Sequence, residues 1–509
     1  MMLVTGPHQC LSSILTELLN EGKENDMLML KEEKARSIDL FDFGAKIKIV
    51  VEMVNGKPKI QFKIRFRKGY DIHNESIEHL RALFGSSIAV RHVDGQGSLI
   101  LSVAVNDAIL KFDSPQECIE NLSQIRIHTA GAPILKALSR LTNRVDCDND
   151  NKDDFLYKLG TYGNCGTYHC MSTREKVMVV FVVSFGEEME RSLARLFLQQ
   201  FEATQNKVPL TPHCEFRRPT HLTTELQSIA DSLKGDSNTL PVPVGYLSFT
   251  FFPSTVTTDQ RREKAVELLV NFLPYLDGQV KNTKSMMLSR MRKKRNDLIT
   301  TLPVAPSSSS SLSTSSSSGN STNNRTEYLE EVQEVLLRTL KCMKAPRVSD
   351  TDAFVPPLRP DVEVGAAGVK ETIVEARQRV PTFRSAKATT ATPSERCLIE
   401  SSHDSVRVSF LFKQQIMAQS DPLEASILFQ WMRFLQQQAE DYQILRRKPL
   451  DGYSISFLIL SKHLQEYSKE DIEDWIVNFC AVMDKECSDI KLRVNAEARY
   501  GTTEFFKAF

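Results

Sequence analysis

The stretch KVMVVFVVSF, Lys176 to Phe185, decides how the middle of this 509-residue chain is read. It is apolar at both alternations and leaves no position for a wet face, so it predicts a central strand covered on both sides. Downstream, Met189, Leu193, Leu196, Phe197 and Phe201 fall at helical spacing. A long loop then leads to GYLSFTFF, Gly245 to Phe252, where Leu247, Phe249 and Phe251 alternate with Ser248 and Thr250 as in a half-buried strand. A helical pattern follows from about Thr258 to Thr301, with Val266, Leu269, Leu273, Leu276, Val280, Met287 and Met291 on one stripe. Pro274 is expected to kink it, because proline removes a backbone hydrogen bond and crowds the preceding turn.

The same order returns near the C-terminus. SVRVSFLFK, Ser405 to Lys413, alternates Val406, Val408, Phe410 and Phe412 with Arg407 and Ser409. Asp421-Pro422 sets an N-cap and a first helical position, and Leu423, Ile427, Trp431 and Phe434 are expected to face inward from that helix. GYSISFLIL, Gly452 to Leu460, opens with the same Gly-Tyr as the earlier strand. Ser468 with Asp471 makes a capping-box-like start for a long terminal helix carrying Ile472, Trp475, Ile476, Phe479, Val482, Met483, Ile490 and Val494 on one face. Strand, helix, Gly-Tyr strand and long helix thus occur twice, and the pattern suggests two copies of one module.

Between the copies, the stretch 303–324 reads PVAPSSSSSLSTSSSSGNSTNN, which has almost nothing to bury. Such a tract cannot offset the entropy of ordering its backbone and is expected to be a flexible tether. Thr326 to Lys344 carries Leu329, Val332, Leu336, Leu340 and Met343 at helical spacing, and a proline-rich connection runs on to about Pro393. Upstream, Ala45 to Val54 and Lys59 to Phe66 form a hairpin around Asn55-Gly56-Lys57-Pro58. A helix around Ile77 to Phe84 and strands Ser87 to Val93 and Ser98 to Val105 follow, and the aspartate-rich stretch 146–154 reads as a linker. The expected fold class is α/β (α+β), built of small mixed-sheet modules packed by helices. Five segments follow: a first α/β domain at 1–150, a second at 155–302 ending in a long helix, the tether at 303–325, a helix and extended connection at 326–395, and a final α/β domain at 396–509.

Lys and Arg number 64 and Asp and Glu 64, so the formal net charge is zero. That balance argues against a protein whose main task is neutralising nucleic-acid phosphates or anionic lipid over a broad surface. Ten cysteines in a chain of this length are far below the density of a disulfide scaffold. MMLVTGPHQC offers neither a basic segment nor an apolar core of signal-peptide length. A cytoplasmic protein is therefore expected.

Catalytic patterns are missing: there is no G-x-x-x-x-G-K-[ST], no H-E-x-x-H and no G-x-S-x-G. Gly160, Gly163 and Gly166 do not follow the dinucleotide spacing, so no cofactor is expected. Cys165, His169 and Cys170 with His213 and Cys214 are the sharpest metal candidate, yet they lack Cys-x-x-Cys spacing and are read as ordinary loop and partly buried residues, with no metal. Three basic clusters remain: Arg290, Arg292, Lys293, Lys294 and Arg295; Arg446-Arg447-Lys448; and Lys491, Arg493 and Arg499 late in the terminal helix. Near helix C-termini such residues complement the dipole, and a charge run is usually a solvated face; no aromatic-rich RNA-binding pattern interleaves them, so an acidic protein surface is at least as plausible a partner as nucleic acid.

The motifs ERCLIE (Glu395 to Glu400), SVRVS, WMRFL (Trp431 to Leu435), ILRRKPLDGYSISFLI (Ile444 to Ile459) and DKECSDIKLRVNAEAR (Asp484 to Arg499) closely resemble subunit 4 of the actin-related protein 2/3 complex. Glu327 to Leu340 is similar to that family's N-terminal helix. KVMVVFVVSF, LFLQQFEA (Leu196 to Ala203), VGYLSFTFFP (Val244 to Pro253) and the pattern of Tyr275 to Leu298 resemble subunit 2 of the same complex, in the same order. The resemblance implies a non-enzymatic scaffold in which related α/β modules pair through long antiparallel helices, cradle the actin-related proteins and lie along the side of an actin filament. It implies that Arg446, Arg447, Lys491 and Arg499, with Arg290, Arg292, Lys293, Lys294 and Arg295 as the counterpart on the subunit 2 helix, face the acidic filament. The family usually reads Asn-Ala-Arg-Ala-Arg where this chain has Asn495-Ala496-Glu497-Ala498-Arg499, so Glu497 reverses one expected charge. The competing expectation is a heterodimer-like module bound to another acidic protein or to anionic membrane, without nucleation activity.

Overall fold

In the computed structural model, residues 9–21, 36–42, 45–54, 57–66, 73–93, 98–142, 155–162, 165–209, 211–234, 242–300, 323–343, 376–380, 396–401, 405–412 and 422–509 are described. The expected tether except Asn323–Arg325, which already belong to a helix, the aspartate-rich linker and most of the connection before Pro393 lie outside them. The chain divides into two units, Met1–Asn282 with Ala496–Phe509, and Thr283–Asn495. The division falls inside two long helices.

The first unit opens with α1 (Gln9–Glu21) and a five-stranded antiparallel sheet of β1 (Arg36–Asp42), β2 (Ala45–Val54), β3 (Lys57–Phe66), β4 (Ile88–Val93) and β5 (Ser98–Ala104), in the order β1-β2-β3-β5-β4. Between β3 and β4 comes α2 (Asn74–Phe84), and after β5 come α3 (Val105–Ile109), α4 (Pro115–Ser123) and α5 (Ile125–Thr142). Ile47, Ile49, Ile60, Phe62 and Ile64 alternate along β2 and β3 into a core shared with Leu11, Leu15, Leu80, Phe84 and Leu122 of the helices. Lys57 and Pro58, expected in the hairpin turn, belong to β3, with Lys57 opposite Val54. Pro58 is tolerated there because β3 meets β5 only over Gln61–Arg65, so its missing N–H costs no ladder bond on that side.

A second five-stranded antiparallel sheet contains β6 (Phe155–Tyr162), β7 (Gly166–Ser172), β8 (Val177–Ser184), β9 (His213–Arg217) and β10 (Pro243–Phe251), ordered β6-β7-β8-β10-β9. With them go α6 (Glu188–Thr204), α7 (Thr224–Lys234), α8 (Asp259–Val270) and α9 (Phe272–Thr300). KVMVVFVVSF is the central strand β8, and every residue from Val177 to Ser184 is buried. Met178, Val180 and Val182 pack on Leu226, Ile229 and Ala230 of α7. Phe181 points the other way, 4.5 Å from the ring of Phe272, in an aromatic cluster with Phe201, Phe249 and Phe505. Two covered faces explain why this strand has no polar alternation. The loop expected between α6 and β10 contains β9 and α7, whose Leu226, Ile229 and Leu233 carry a helical spacing that the polar residues around them obscure.

Pro274 does not kink a continuous helix. The helix breaks at Asn271, whose carbonyl accepts from Tyr275 N–H at 2.9 Å, and Pro274 sits in the first turn of α9, where its missing N–H has no intrahelical partner to lose. The residues Ala496–Phe509 complete this unit: Tyr275 Oη donates to the Gly501 carbonyl at 2.7 Å, and Phe505 and Phe506 are buried.

The second unit holds α10 (Asn323–Cys342) and the antiparallel sheet β11 (Ala376–Val380), β12 (Arg396–Ser401), β13 (Ser405–Leu411) and β14 (Ile455–Leu460), ordered β11-β12-β13-β14. Its other helices are α11 (Pro422–Gln437), the short α12 (His463–Glu466) and α13 (Lys469–Lys507). Leu329, Val332, Leu336, Leu340 and Met343 are all buried, as their spacing requires. β11 is a strand within the stretch read as connection; its polar sequence ARQRV carries no strand alternation. Phe434, expected inward, is only half-buried, and Leu435 takes the core position. Ser468 Oγ accepts from Asp471 N–H at 3.0 Å, the cap expected for α13. β14 begins at Ile455, three residues after Gly452. Every strand pairing among the described residues is antiparallel, so the fold is the α+β form of the expected class rather than one of mixed sheets.

Candidate functional site

The basic residues singled out from the sequence fall on the last turns of α9, the segment before β14, and the second half of α13. Apart from Arg499, all lie in the second unit. Their surroundings differ: several are held by named partners, and others are exposed to solvent.

Arg290 is held. Its guanidinium donates through both Nε and Nη2 to the Glu486 carboxylate and reaches Asp489 Oδ2 at 3.4 Å. Glu486 is buried, so the fork-to-fork pair satisfies a carboxylate that would otherwise be costly to enclose. The hydrogen bonds that Arg290 donates to Glu486 push its pKa still higher. Arg295 donates to Gln438 Oε1 and Asn296 Oδ1, and its guanidinium carbon lies 5.8 Å from the centre of the Phe434 ring. Lys491 Nζ donates to Glu424 Oε2 of α11 at 2.7 Å. Lys294 lies 3.9 Å from Asp297, one helical turn on.

Arg292 and Lys293 are exposed on α9 and have no side-chain partner among the described residues. Arg447 and Lys448 are exposed on a segment pinned beside β14: Leu445 bridges Phe457, Arg446 N–H donates to the Ser456 carbonyl at 2.9 Å, and Leu450 N–H to Ser456 Oγ at 2.9 Å. Arg446 is half-buried. In the first unit Arg499 is exposed on the last turns of α13, as is Glu497. Sequence reasoning found the cations but missed Glu486, Glu424 and Gln438, which hold three of them. No local signal marks these partners, since Glu486 lies 196 residues from Arg290.

The cysteine and histidine candidates are kept apart by the sheet. His169 on β7 is in register with Val180, Val180 with Ser248, and Ser248 with Glu215 beside Cys214. Three strand spacings, about 14 Å, therefore separate the two clusters. Cys165 Sγ donates to Asp277 at 3.1 Å, and burial pushes its thiol up to about 12. Burial pushes the His169 imidazole down to about 4, and it meets Thr167 Oγ1 at 3.1 Å. Gly160 and Gly166 lie in paired strands rather than in a phosphate loop. Among the described residues no group of acidic, His and Cys side chains is placed to hold a metal ion, and no helix is long and apolar enough to cross a membrane.

Comparison with known proteins divides the chain as its motifs do. Residues 321–508 match the family model of the ARP2/3 complex 20 kDa subunit (ARPC4), and residues 62–308 match that of the Arp2/3 complex 34 kD subunit p34-Arc. The C-terminal part is 44% identical over 115 residues to the probable actin-related protein 2/3 complex subunit 4 of Caenorhabditis elegans, covering 23% of this chain and 65% of the relative. It is 41% identical over 116 residues to subunit 4 of Dictyostelium discoideum, with 23% and 66% covered. For subunit 4 of Saccharomyces cerevisiae the identity is 42% over 116 residues, with 23% and 65% covered. The chain thus spans just under two thirds of the length of these relatives. One polypeptide thus matches, in order, the family model of the 34 kDa subunit and that of the 20 kDa subunit of the Arp2/3 complex.

Proposed function

We propose that this chain is a structural core of an actin-nucleating, branch-forming complex, holding actin-related proteins and binding the side of a pre-existing filament. The observation that carries the reading is the occurrence of two subunit families of one complex in a single chain. The five segments expected from the sequence serve this role: two α/β domains and a long helix, a serine-rich tether, and a helix, connection and α/β domain ending in the second long helix. Covalent linkage fixes a 1:1 ratio and gives the second half an effective concentration of roughly millimolar order, provided the tether spans the gap. The protein does no chemistry of its own and works in the cytoplasm at the actin cytoskeleton.

For the filament face, the exposed cations Arg292, Lys293, Arg447 and Arg499 make direct contact with acidic actin. Arg290, Arg295 and Lys491 hold the helices that present them, and Arg446 and Lys294 lie between these roles. Affinity purification of the tagged chain from cells is the first test, and recovery without actin-related proteins would sink the scaffold reading. The second is co-sedimentation of the assembled complex with filaments. Reversing Arg292, Lys293, Arg447 and Arg499 to Glu is expected to weaken binding at least tenfold, about 1.4 kcal/mol, and unchanged binding would reject this face. Glu497→Arg is expected to strengthen it.

A further inference from the structure

Helices α2, α4, α5 and α8 of the first unit, with Phe509, line a partly open cavity of about 890 Å³, within the range that takes a drug-sized organic molecule. Leu83, Ile127, Leu135 and Val266 line it with hydrocarbon. Three further features favour negative charge. The first turn of α8 opens on the cavity through Thr258, Gln260 and Arg261, and the amides of a helix N-terminus carry partial positive charge. Arg261 is half-buried, and its guanidinium has no counter-ion among the described residues. His79 and His128 meet Nε2 to Nδ1 at 3.2 Å, and His128 Nε2 is enclosed with no hydrogen-bond partner.

Burial holds both imidazoles below their usual range, His128 at about 4. The pair is therefore neutral at pH 7 and gains a proton readily only beside a new negative charge. Glu263 and Glu267 also line the cavity. Glu267 accepts from Lys264 at 3.0 Å, Asp259 pairs with Arg262, and Glu263 is exposed to solvent.

We propose that this cavity binds an amphipathic organic anion, a carboxylate or phosphate monoester with a hydrocarbon body. The charged head sits against Arg261 and the first turn of α8, on the cavity that the histidine pair also lines, and the body lies on Leu83, Leu135 and Val266.

Isothermal titration calorimetry of the full chain with decanoate and with decyl phosphate tests this, decyltrimethylammonium serving as the cation of matched body. One or both anions are expected to bind at a single site, more tightly at pH 6 than at pH 8, and the cation not to bind. Whichever anion binds identifies the head group. Arg261→Gln is expected to weaken binding at least tenfold, and His128→Phe to remove its pH dependence. Leu135→Trp, which fills the cavity, is expected to abolish binding while the thermal unfolding midpoint stays close to that of the parent. Equal binding of the cation, no binding of either anion, or unchanged affinity in both Arg261→Gln and Leu135→Trp would overturn the proposal.

Discussion

Strands β8 and β13 are both buried along nearly their whole length, yet they meet that condition with opposite chemistry. β8 is apolar throughout except for its last residue, Ser184. β13 carries Arg407 and Ser409 into its sheet, where Arg407 donates through Nε and Nη2 to Glu400, the residue directly opposite on β12 and fully buried. Ser409 faces Ser456 on β14 at 2.8 Å between hydroxyl oxygens. A covered strand can thus be all hydrocarbon, or polar where each group has its partner directly across the ladder. The polar solution depends on both partners being present, because a buried charge left alone has neither water nor a counter-ion.

Breaking the β13 solution should have the largest effect. Arg407→Ala leaves Glu400 enclosed without its cation and is expected to cost about 3–5 kcal/mol in chemical denaturation, whereas Glu400→Leu with Arg407→Met should recover most of that loss. The matching break beside β8 is Phe505→Ala. Phe505 is fully buried, with ring centres 5.3 Å from Phe201 and 5.6 Å from Phe272, and the cavity left behind should cost about 3–5 kcal/mol of the first unit's stability. No second substitution is expected to rescue it, because no partner charge is involved.

Glu473 of α13 shows what happens when a buried acid lacks such a partner. It is 2% exposed and one carboxylate oxygen has no hydrogen bond. Burial, then Asp474 and Glu470, raise its pKa to about 7, against a smaller opposing effect of Lys341. The folded state therefore binds this proton more tightly than the unfolded chain, whose carboxyl titrates near 4.5. Its favourable contribution is complete below that pH and is lost as pH rises through 7. Glu473→Gln is expected to be close to neutral at pH 4.5 and to stabilise by about 1–3 kcal/mol at pH 8, as read from unfolding midpoints across that window.

The smallest effects separate two Gly-Tyr pairs that look alike. Gly245 lies inside β10, where a Cβ would meet the Phe216 ring at 2.3 Å and the Arg217 carbonyl at 3.0 Å. Gly452 lies in the turn before β14 at φ +83°, with open space around it. Gly245→Ala should cost about 1–3 kcal/mol through overpacking, and Gly452→Ala about 1 kcal/mol through backbone strain. Asparagine, which tolerates positive φ, should restore stability at 452 and not at 245. Equal responses at the two positions would mean that the pairs are equivalent after all.

These contrasts mark what was legible. The burial of β8, the stripe of α10 and the cap of α13 follow from local periodicity, since apolar spacing reports the covered face directly. The end of the α8 pattern at Asn271 was not legible, because a proline in a first turn and a proline in a helix interior look the same until the cap is seen. Nor was the strand β11, whose polar sequence pairs only because β12 offers an edge.

For the candidate site the division is the same. The sequence by itself determined which cations cluster on α9, before β14 and on α13, because charge and helical spacing are local properties. Only the tertiary structure decided which of those cations are occupied. Arg290 meets Glu486 and Lys491 meets Glu424 across 196 and 67 residues of chain, and that choice follows from which helix faces are brought together around a shared core.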